Sequence, residues 1–342
     1  MHCRGFRGDS PQTGAALVVA LLVFAICAGM IVAMQREFTL FYQRGANLFQ
    51  AEQGYAYLRG AEELATLALV VDYDADKQRD TPRDDLQEIW AQPPTPYALD
   101  EGGWLMGGLE DLQGRFNLNG LAGGGAEQEG AQGIDRFTAA QAQFIRLLQT
   151  LEEPSIGEQE AISLMRAIAD WIDADGNVSP NGAEDDYYFS QTPAYRAANR
   201  PMSSVSELRA IANVTPELYA ALAPLVTVWP ANPLPVNIHT APLAVLRSIN
   251  ADDSLDPLAE SDAQAMVELR EESGFLDKAE FLAQPVFADK PMDKVAALLG
   301  ESSAYFLLSA RVEIADRELQ LYSVLQRQQR RVESLVRASG SL

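Results

Sequence analysis

Hydrophobic positions fall into different regimes along the chain. Residues 15–34, AALVVALLVFAICAGMIVAM, form an apolar run with no charge and no proline. At 1.5 Å rise per residue, a helix of that length spans roughly 30 Å, the hydrocarbon thickness of a bilayer. From residue 36 to 71 the pattern becomes helical. Phe38, Phe41, Tyr42, Leu48, Phe49, Tyr55, Leu58, Leu64, Leu67 and Val71 recur near a 3.6-residue period. Gly45, Gly54 and Gly60 weaken that helix without breaking it. The pattern predicts one long helix, its first half in lipid and its second half packed on a globular domain. DYDADKQRDTPRDD, 72–85, ends it.

Residues 93–107 are turn-rich. WLMGGLEDLQGRFNLNGL, 104–121, reads as two short strands, with Gly114 at a turn or bulge. GGGAEQEGAQG, 123–133, has the composition of a flexible loop. Amphipathic helices are expected over 137–151 and 158–172. Shorter helical segments follow at 203–212, 215–226, 240–249, 260–273 and 277–283, with Ser204, Thr215 and Thr240 as caps. Near the C-terminus the period shortens. ARVEIADRELQLYSVL reads as a hairpin turning near Ala315–Asp316, with a last strand over 331–337. Strands at both ends and helices in the middle predict an α+β fold. A sheet packs on the N-terminal helix, and an all-α domain is inserted between its strands.

Composition narrows the chemistry. The two histidines, His2 and His239, leave little for Ser-His or Cys-His catalysis. Cys3 and Cys27 offer little to a zinc site or a disulfide framework. His239 lies in a turn before a cap and reads as structural. A net charge of −22 repels nucleic acid and anionic lipid. The local basic cluster RQQRR, 327–331, reads as a solvated strand or turn.

Arg4 and Arg7 precede the apolar run, which begins directly after Gly14. The run is too long for a signal-peptide core and lacks an A-x-A exit. A basic leader ending in Gly before an apolar helix resembles the type IV prepilin class. That resemblance implies peptidase cleavage after Gly14 and methylation of the amine of Ala15. The mature fifth residue is Val19, where most members of the class carry Glu. A lone carboxylate in lipid is costly and needs a partner, so its loss suits a subunit with nothing above it.

DWIDADGNVSPNGAEDDYY, 170–188, gathers six carboxylates, with no Lys or Arg between Arg166 and Arg196. Against the EF-hand pattern, Asp173, Asp175, Asn177 and Glu184 match ligand positions. Val178 stands where the sharp turn needs Gly, and Pro180 removes a donor. The segment therefore reads as an irregular loop with EF-hand-like oxygens. Asp173, Asp175, Glu184, Asp185 and Asp186 are the candidate metal ligands, calcium the candidate ion, and the local charge is enough for two. A solvated loop and a glycosidase-like carboxylate pair are the alternatives. Trp171 and Ile172 read as core anchors.

SSVSELRAIANVTPELYAAL and the segment from VNIHTAP to DKAEFL have the rhythm of helix-hairpin-helix modules. The first hairpin, Ala212-Asn213-Val214, lacks the phosphate-binding glycines, and Arg209, Arg247 and Arg270 are scattered among acids. A protein-docking module is the better reading, with no nucleic acid as partner.

The Gly14–Ala15 junction, Val19, AEELA, QGRFNLNGL, ADWIDADG…GAEDDYY, SVSELRAI, LAPLVTVWP and PVNIHTAP together resemble the type II secretion minor pseudopilin K family. The likeness spans almost the whole chain, and NIHTAP departs at one position from the family's NxNTAP. The resemblance implies a type IV pilin-like fold with an inserted helical domain and structural calcium in the acidic loop. It implies a leader (1–14), a transmembrane half-helix (15–34) and a periplasmic half-helix (35–72). It places the pilin-like domain at 73–133 and 300–342, around an insert at 134–299. The implied partners are minor pseudopilins I and J, other pseudopilins, inner-membrane secretion components and the prepilin peptidase. The implied setting is the inner membrane of a Gram-negative bacterium, with the C-terminal domain in the periplasm. The implied role is a non-enzymatic tip subunit of the pseudopilus that exports folded proteins. The alternatives are a minor pilin of a type IV pilus or DNA-uptake machine, and a membrane-anchored hydrolase.

Overall fold

The computed structural model describes residues 13–100, 102–122, 133–315 and 317–340. The chain divides into two compact units, residues 1–56 and 57–342. Helix α1, Thr13–Asp76, runs through both. Among the described residues it is the one helix long and apolar enough to cross a membrane. In the first unit its large apolar side chains, including Leu21, Phe24 and Ile31, are exposed. The helix continues through Gly45 and Gly54 because it contains no proline, and an interior glycine costs only about 1 kcal/mol. Most of the leader and Asp316 lie outside the described residues, as do residues 123–132 of the low-complexity loop.

The second unit contains β1 (Tyr97–Ala98) and β2 (Trp104–Asp111). Next come β3 (Phe116–Asn117), α2 (Ala139–Gln149), α3 (Glu158–Ile172), α4 (Asp185–Phe189) and α5 (Pro216–Leu222). Then follow β4 (Val226–Thr227), β5 (Val236–Asn237), α6 (Leu243–Arg247), α7 (Glu260–Glu272) and α8 (Lys278–Leu282). The chain closes with α9 (Asp293–Ala296), β6 (Leu299–Gly300), β7 (Tyr305–Ile314), β8 (Arg317–Gln328) and β9 (Arg331–Ala338).

The main sheet is antiparallel, in the order β1-β2-β7-β8-β9. The β7–β8 hairpin pairs Ile314 with Arg317 and turns through Ala315 at φ 48°. This is the hairpin expected from the two-residue period. The residues 57–76 of α1 pack on the sheet through Leu58, Ala61, Ala65 and Leu69, against Phe306, Leu308, Val312 and Leu325. This face corrects the expected stripe. Of the periodic residues from Phe38 to Val71, Leu58 is buried, whereas Leu64, Leu67 and Val71 are exposed. Helix and sheet approach closely at Ala61: a Cβ built on Gly107 of β2 would lie in van der Waals contact with that of Ala61, at 3.8 Å.

Strands β2 and β7 are sheet neighbours, yet the chain between them leaves to build a second, mostly helical core. Phe144, Ile145 and Leu148 of α2 meet Leu164, Met165 and Ile168 of α3 at its centre. Thr138 and Gln141 form a capping box at the start of α2. The insert is not purely helical, because parallel pairs β3–β4 and β5–β6 stitch its ends together. Residues 205–210 form a 3-10 turn capped by Ser204 and Glu207, and Thr215 caps α5 as expected. Thr240 caps nothing. Helix α6 starts after Pro242, and the Thr240 hydroxyl donates instead to the buried carboxylate of Asp111.

Candidate functional site

The acidic loop begins where α3 ends, at Asp173, whose N–H still donates to Ala169 O. Asp170, in the last turn, is fully buried. Its Oδ2 accepts from the backbone of Ser179 (3.1 Å) and Ala183 (3.0 Å), which draws the far side of the loop back over the helix end. That approach needs glycine at 182, where a Cβ would come within 2.0 Å of Asp170 Oδ2. Arg166 holds the same side by donating to Pro180 O.

Between these anchors the chain turns twice on its own side chains. Asp173 Oδ1 accepts from Asp175 N, and Asp175 Oδ1 from Asn177 N. Glu184 is buried and accepts from Asp185 N at the start of α4. Asp185 Oδ1 accepts from Ala197 N, while Asp186 is exposed on the first turn of the same helix. Asn199, at φ 45°, donates Nδ2 to Asp175 O and its own N–H to Trp171 O. Trp171 is a core anchor, as expected: its ring meets Tyr188 edge-on at 5.2 Å.

Three oxygens in this arrangement are closed to solvent without a hydrogen-bond partner: Asp170 Oδ1, Glu184 Oε1 and Asn199 Oδ1. Burial raises the Asp170 carboxyl, and burial with the Asp175 charge raises Asp173 to about 6. Burial with Asp170, Asp173 and Asp185 raises Glu184 to about 7. The loop thus concentrates mutually repelling carboxylates around orphaned hard oxygens. Asp170 and Asn199 were not among the residues picked from sequence. Asp170 counts among the six acids but falls inside the expected helix 158–172, before the EF-hand-like spacing begins, and Asn199 lies beyond the motif. Gly14 and Ala15 both lie in α1, exposed.

Family models of "Type II secretion system (T2SS), protein K" match residues 114–231 and 236–300. A Type II secretion system protein K of Pseudomonas aeruginosa is 36% identical over 322 residues, covering 92% of this chain and 89% of that protein. The chain belongs to the type II secretion system protein K family. The namesake from Aeromonas hydrophila is 33% identical, with 92% of this chain and 93% of the relative covered. Among solved structures, a chain in the crystal structure of the GspK-GspI-GspJ complex from the enterotoxigenic Escherichia coli type 2 secretion system matches with a TM-score of 0.73. It is 26% identical and covers 87% of this chain and 100% of that chain. The fold is pilin-like with an inserted helical domain.

This protein K family chain holds a second acidic group that sequence reasoning missed. Asp72, Asp76, Asp84 and Glu88 are all buried, with carboxylate oxygens within 4.8 Å of one another. Arg327 enters it from β8, at 2.8 Å from Asp72 and in direct contact with Asp84. Arg79 pairs with Asp76 and Glu88. The RQQRR cluster is therefore not uniformly solvated. Arg327 is 7% exposed, because its guanidinium neutralises carboxylates that α1 and the following segment bury. The three arginines of the helix-hairpin-helix-like segments also have internal partners. Arg209 lies over the Tyr219 ring, Arg247 pairs with Glu260, and Arg270 donates to Ala241 O.

Proposed function

We propose that the chain is a minor pseudopilin that caps the tip of a periplasmic pseudopilus and helps initiate it, in complex with partners equivalent to GspI and GspJ. One observation carries this reading: the large insert leaves and rejoins the sheet between adjacent strands β2 and β7. A subunit inside a helical filament has neighbours above and below, so a domain of this bulk fits at an end. Val19 supports the same place, since a terminal subunit has no upper neighbour whose amine needs an acidic partner. Residues 15–34 of α1 anchor the chain in the inner membrane in a single pass, with the rest of the helix from residue 35 and the C-terminal domain in the periplasm. A prepilin peptidase cuts after Gly14 and methylates Ala15. Other pseudopilins and inner-membrane secretion components are the remaining partners, and the chain acts as a structural subunit rather than an enzyme.

The acidic loop fits structural calcium. Its free donors are hard oxygens, and calcium accepts six to eight of them in flexible geometry. Asp173, Asp175 and Glu184 would hold the ion, with the orphaned oxygens of Asp170 and Asn199 beside them. Asp185 and Asp186 offer carboxylates for a second ion. Bound calcium neutralises the repelling carboxylates and ties the end of α3 to the start of α4.

The functional reading is tested by Gly14→Val in cells that secrete through this system. The expected result is a chain that keeps its leader, with cargo retained in the periplasm. Normal secretion by the uncleaved variant overturns the proposal.

A further inference from the structure

A cleft of about 280 Å³ lies where the segment following α1 meets the insert. Arg83 and Asp85 line it from one side, and His239, Arg270, Glu271 and Gly274 from the other. His239 is 1% exposed, and its Nε2 has no hydrogen-bond partner. Arg270 donates Nη1 to Ala241 O at 2.6 Å, while its Nε is closed to solvent and also without a partner. Arg83 donates Nε to Asp85 (3.1 Å) and Nη1 to Phe275 O (2.7 Å). Its Nη2 faces Gly274, where an added Cβ would lie 3.2 Å away.

Orphaned polar groups in an interior cost about 1–3 kcal/mol each, and both of these belong to side chains that line the one cleft. Burial, with Arg83 and Arg270 nearby, lowers His239 to about 4, so the ring is neutral at neutral pH. The charges lining the cleft balance: Arg83 and Arg270 against Asp85 and Glu271. That balance disfavours a dianion. A guanidinium fork matches the two oxygens of a carboxylate, and a single negative charge leaves the acidic neighbours tolerable. We propose that the Arg83–His239–Arg270 cleft binds one carboxylate group, from a free monocarboxylic acid or from a polypeptide.

The test uses the full chain in detergent with calcium, carbon-13 labelled in the histidine rings. His2 and His239 are the two histidines, and His2→Gln assigns the His239 signal by elimination. Sodium acetate is titrated at constant ionic strength against sodium chloride. The His239 signal should shift and saturate, with a midpoint of about 1–10 mM, a range reached by small ligands. Acetamide should leave it in place. Arg270→Gln should weaken the acetate response by about tenfold, as expected for losing one charge-assisted hydrogen bond. A peptide with a free C-terminal carboxylate that binds tighter than acetate, while its amide does not bind, assigns the polypeptide source. Acetate binding without peptide binding assigns the free acid. A His239 signal that ignores acetate, or moves equally with acetamide or chloride, overturns the proposal without recourse to any cleft variant.

Discussion

Thr240 Oγ1 donates to Asp111 Oδ2 across 2.5 Å, joining the NIHTAP turn of the insert to the last residue of β2. Ser303 Oγ (2.6 Å) and Asn237 Nδ2 (3.1 Å) converge on the same oxygen, and Gln113 N reaches Oδ1 at 2.7 Å. One buried carboxylate thus gathers donors from the points where the chain leaves and re-enters the sheet. Asp111→Asn would turn an amide donor toward donors. It should destabilise the chain by about 2–3 kcal/mol, and Thr240→Val by about 1 kcal/mol. Urea unfolding in calcium measures both. Equal effects from the two variants would count against Asp111 as the shared acceptor.

A second long-range acceptor is Glu62, in the AEELA run. It is buried against the sheet, where it takes Arg337 Nε (2.8 Å), Arg337 Nη2 (2.9 Å) and Ser323 Oγ (2.6 Å). Arg337 is partly exposed and regains water when its partner is lost, whereas Ser323 is fully buried and does not. Glu62→Ala should therefore cost about 2 kcal/mol, and adding Ser323→Ala should recover part of it. Strictly additive losses in the double-mutant cycle would show that the two residues are not coupled.

Acid should stabilise the end of α1. Burial, with Glu88 and Asp84 nearby, raises Asp76 to about 7. Burial, with Asp84 and Asp76 nearby, raises Asp72 to about 6. Burial, with Asp72 and Asp84 nearby, raises Glu88 to about 7. Unfolded carboxyls titrate near 4, so between roughly pH 4 and 7 the folded chain keeps protons that the unfolded chain has released. The contribution is complete below the unfolded values and lost as pH rises through 6 to 7. Arg79 and Arg327 offset part of the charge but do not reverse the direction. With calcium saturating, the melting temperature should rise from pH 8 to pH 5.5, and Asp76→Asn should flatten that slope. An unchanged slope in the variant would exclude Asp76 as a source.

These relationships mark where sequence reading ended. The apolar run, the C-terminal hairpin and helices α2 and α3 were legible because each carries its own period. Trp171 was legible as a core anchor for the same reason. Arg327 was not, since its partners Asp72 and Asp84 lie 255 and 243 positions away. Segment 72–85 reads locally as a helix end, because nothing in it shows that Asp72, Asp76, Asp84 and the nearby Glu88 are buried together, Asp72 and Asp84 against Arg327 and Asp76 and Glu88 against Arg79. The packing face of α1 differs from the stripe that the large side chains predict, because Ala61 and Ala65, invisible to a count of large apolar residues, share the sheet-facing side with Leu58 and Leu69. Asp170 was counted among the six acids, but its role as the anchor of the loop depends on Gly182, a residue whose meaning is visible only in three dimensions.

Gly182 gives the acidic loop a test independent of its charges. A Cβ there would meet Asp170 Oδ2 at 2.0 Å, so either the Asp170 carboxylate or the loop must shift, at the expense of the bonds from Ser179 and Ala183. Gly182→Ala keeps every carboxylate, so a purely electrostatic loop would retain its calcium response. A site built by the fold should lose it. The wild-type chain should melt higher in calcium than in chelator. Asp173→Ala with Glu184→Ala should abolish that difference, and Gly182→Ala should reduce it strongly, with a loss of about 1–3 kcal/mol in calcium. Asp170→Asn keeps the acceptor for Ser179 and Ala183 but removes a charge, so it separates anchoring from charge. It should fold in calcium with a weakened response. Thermal melts of the four chains, each with and without chelator, decide the matter. An equal melting temperature for the wild type in both conditions would remove calcium from the account of this loop.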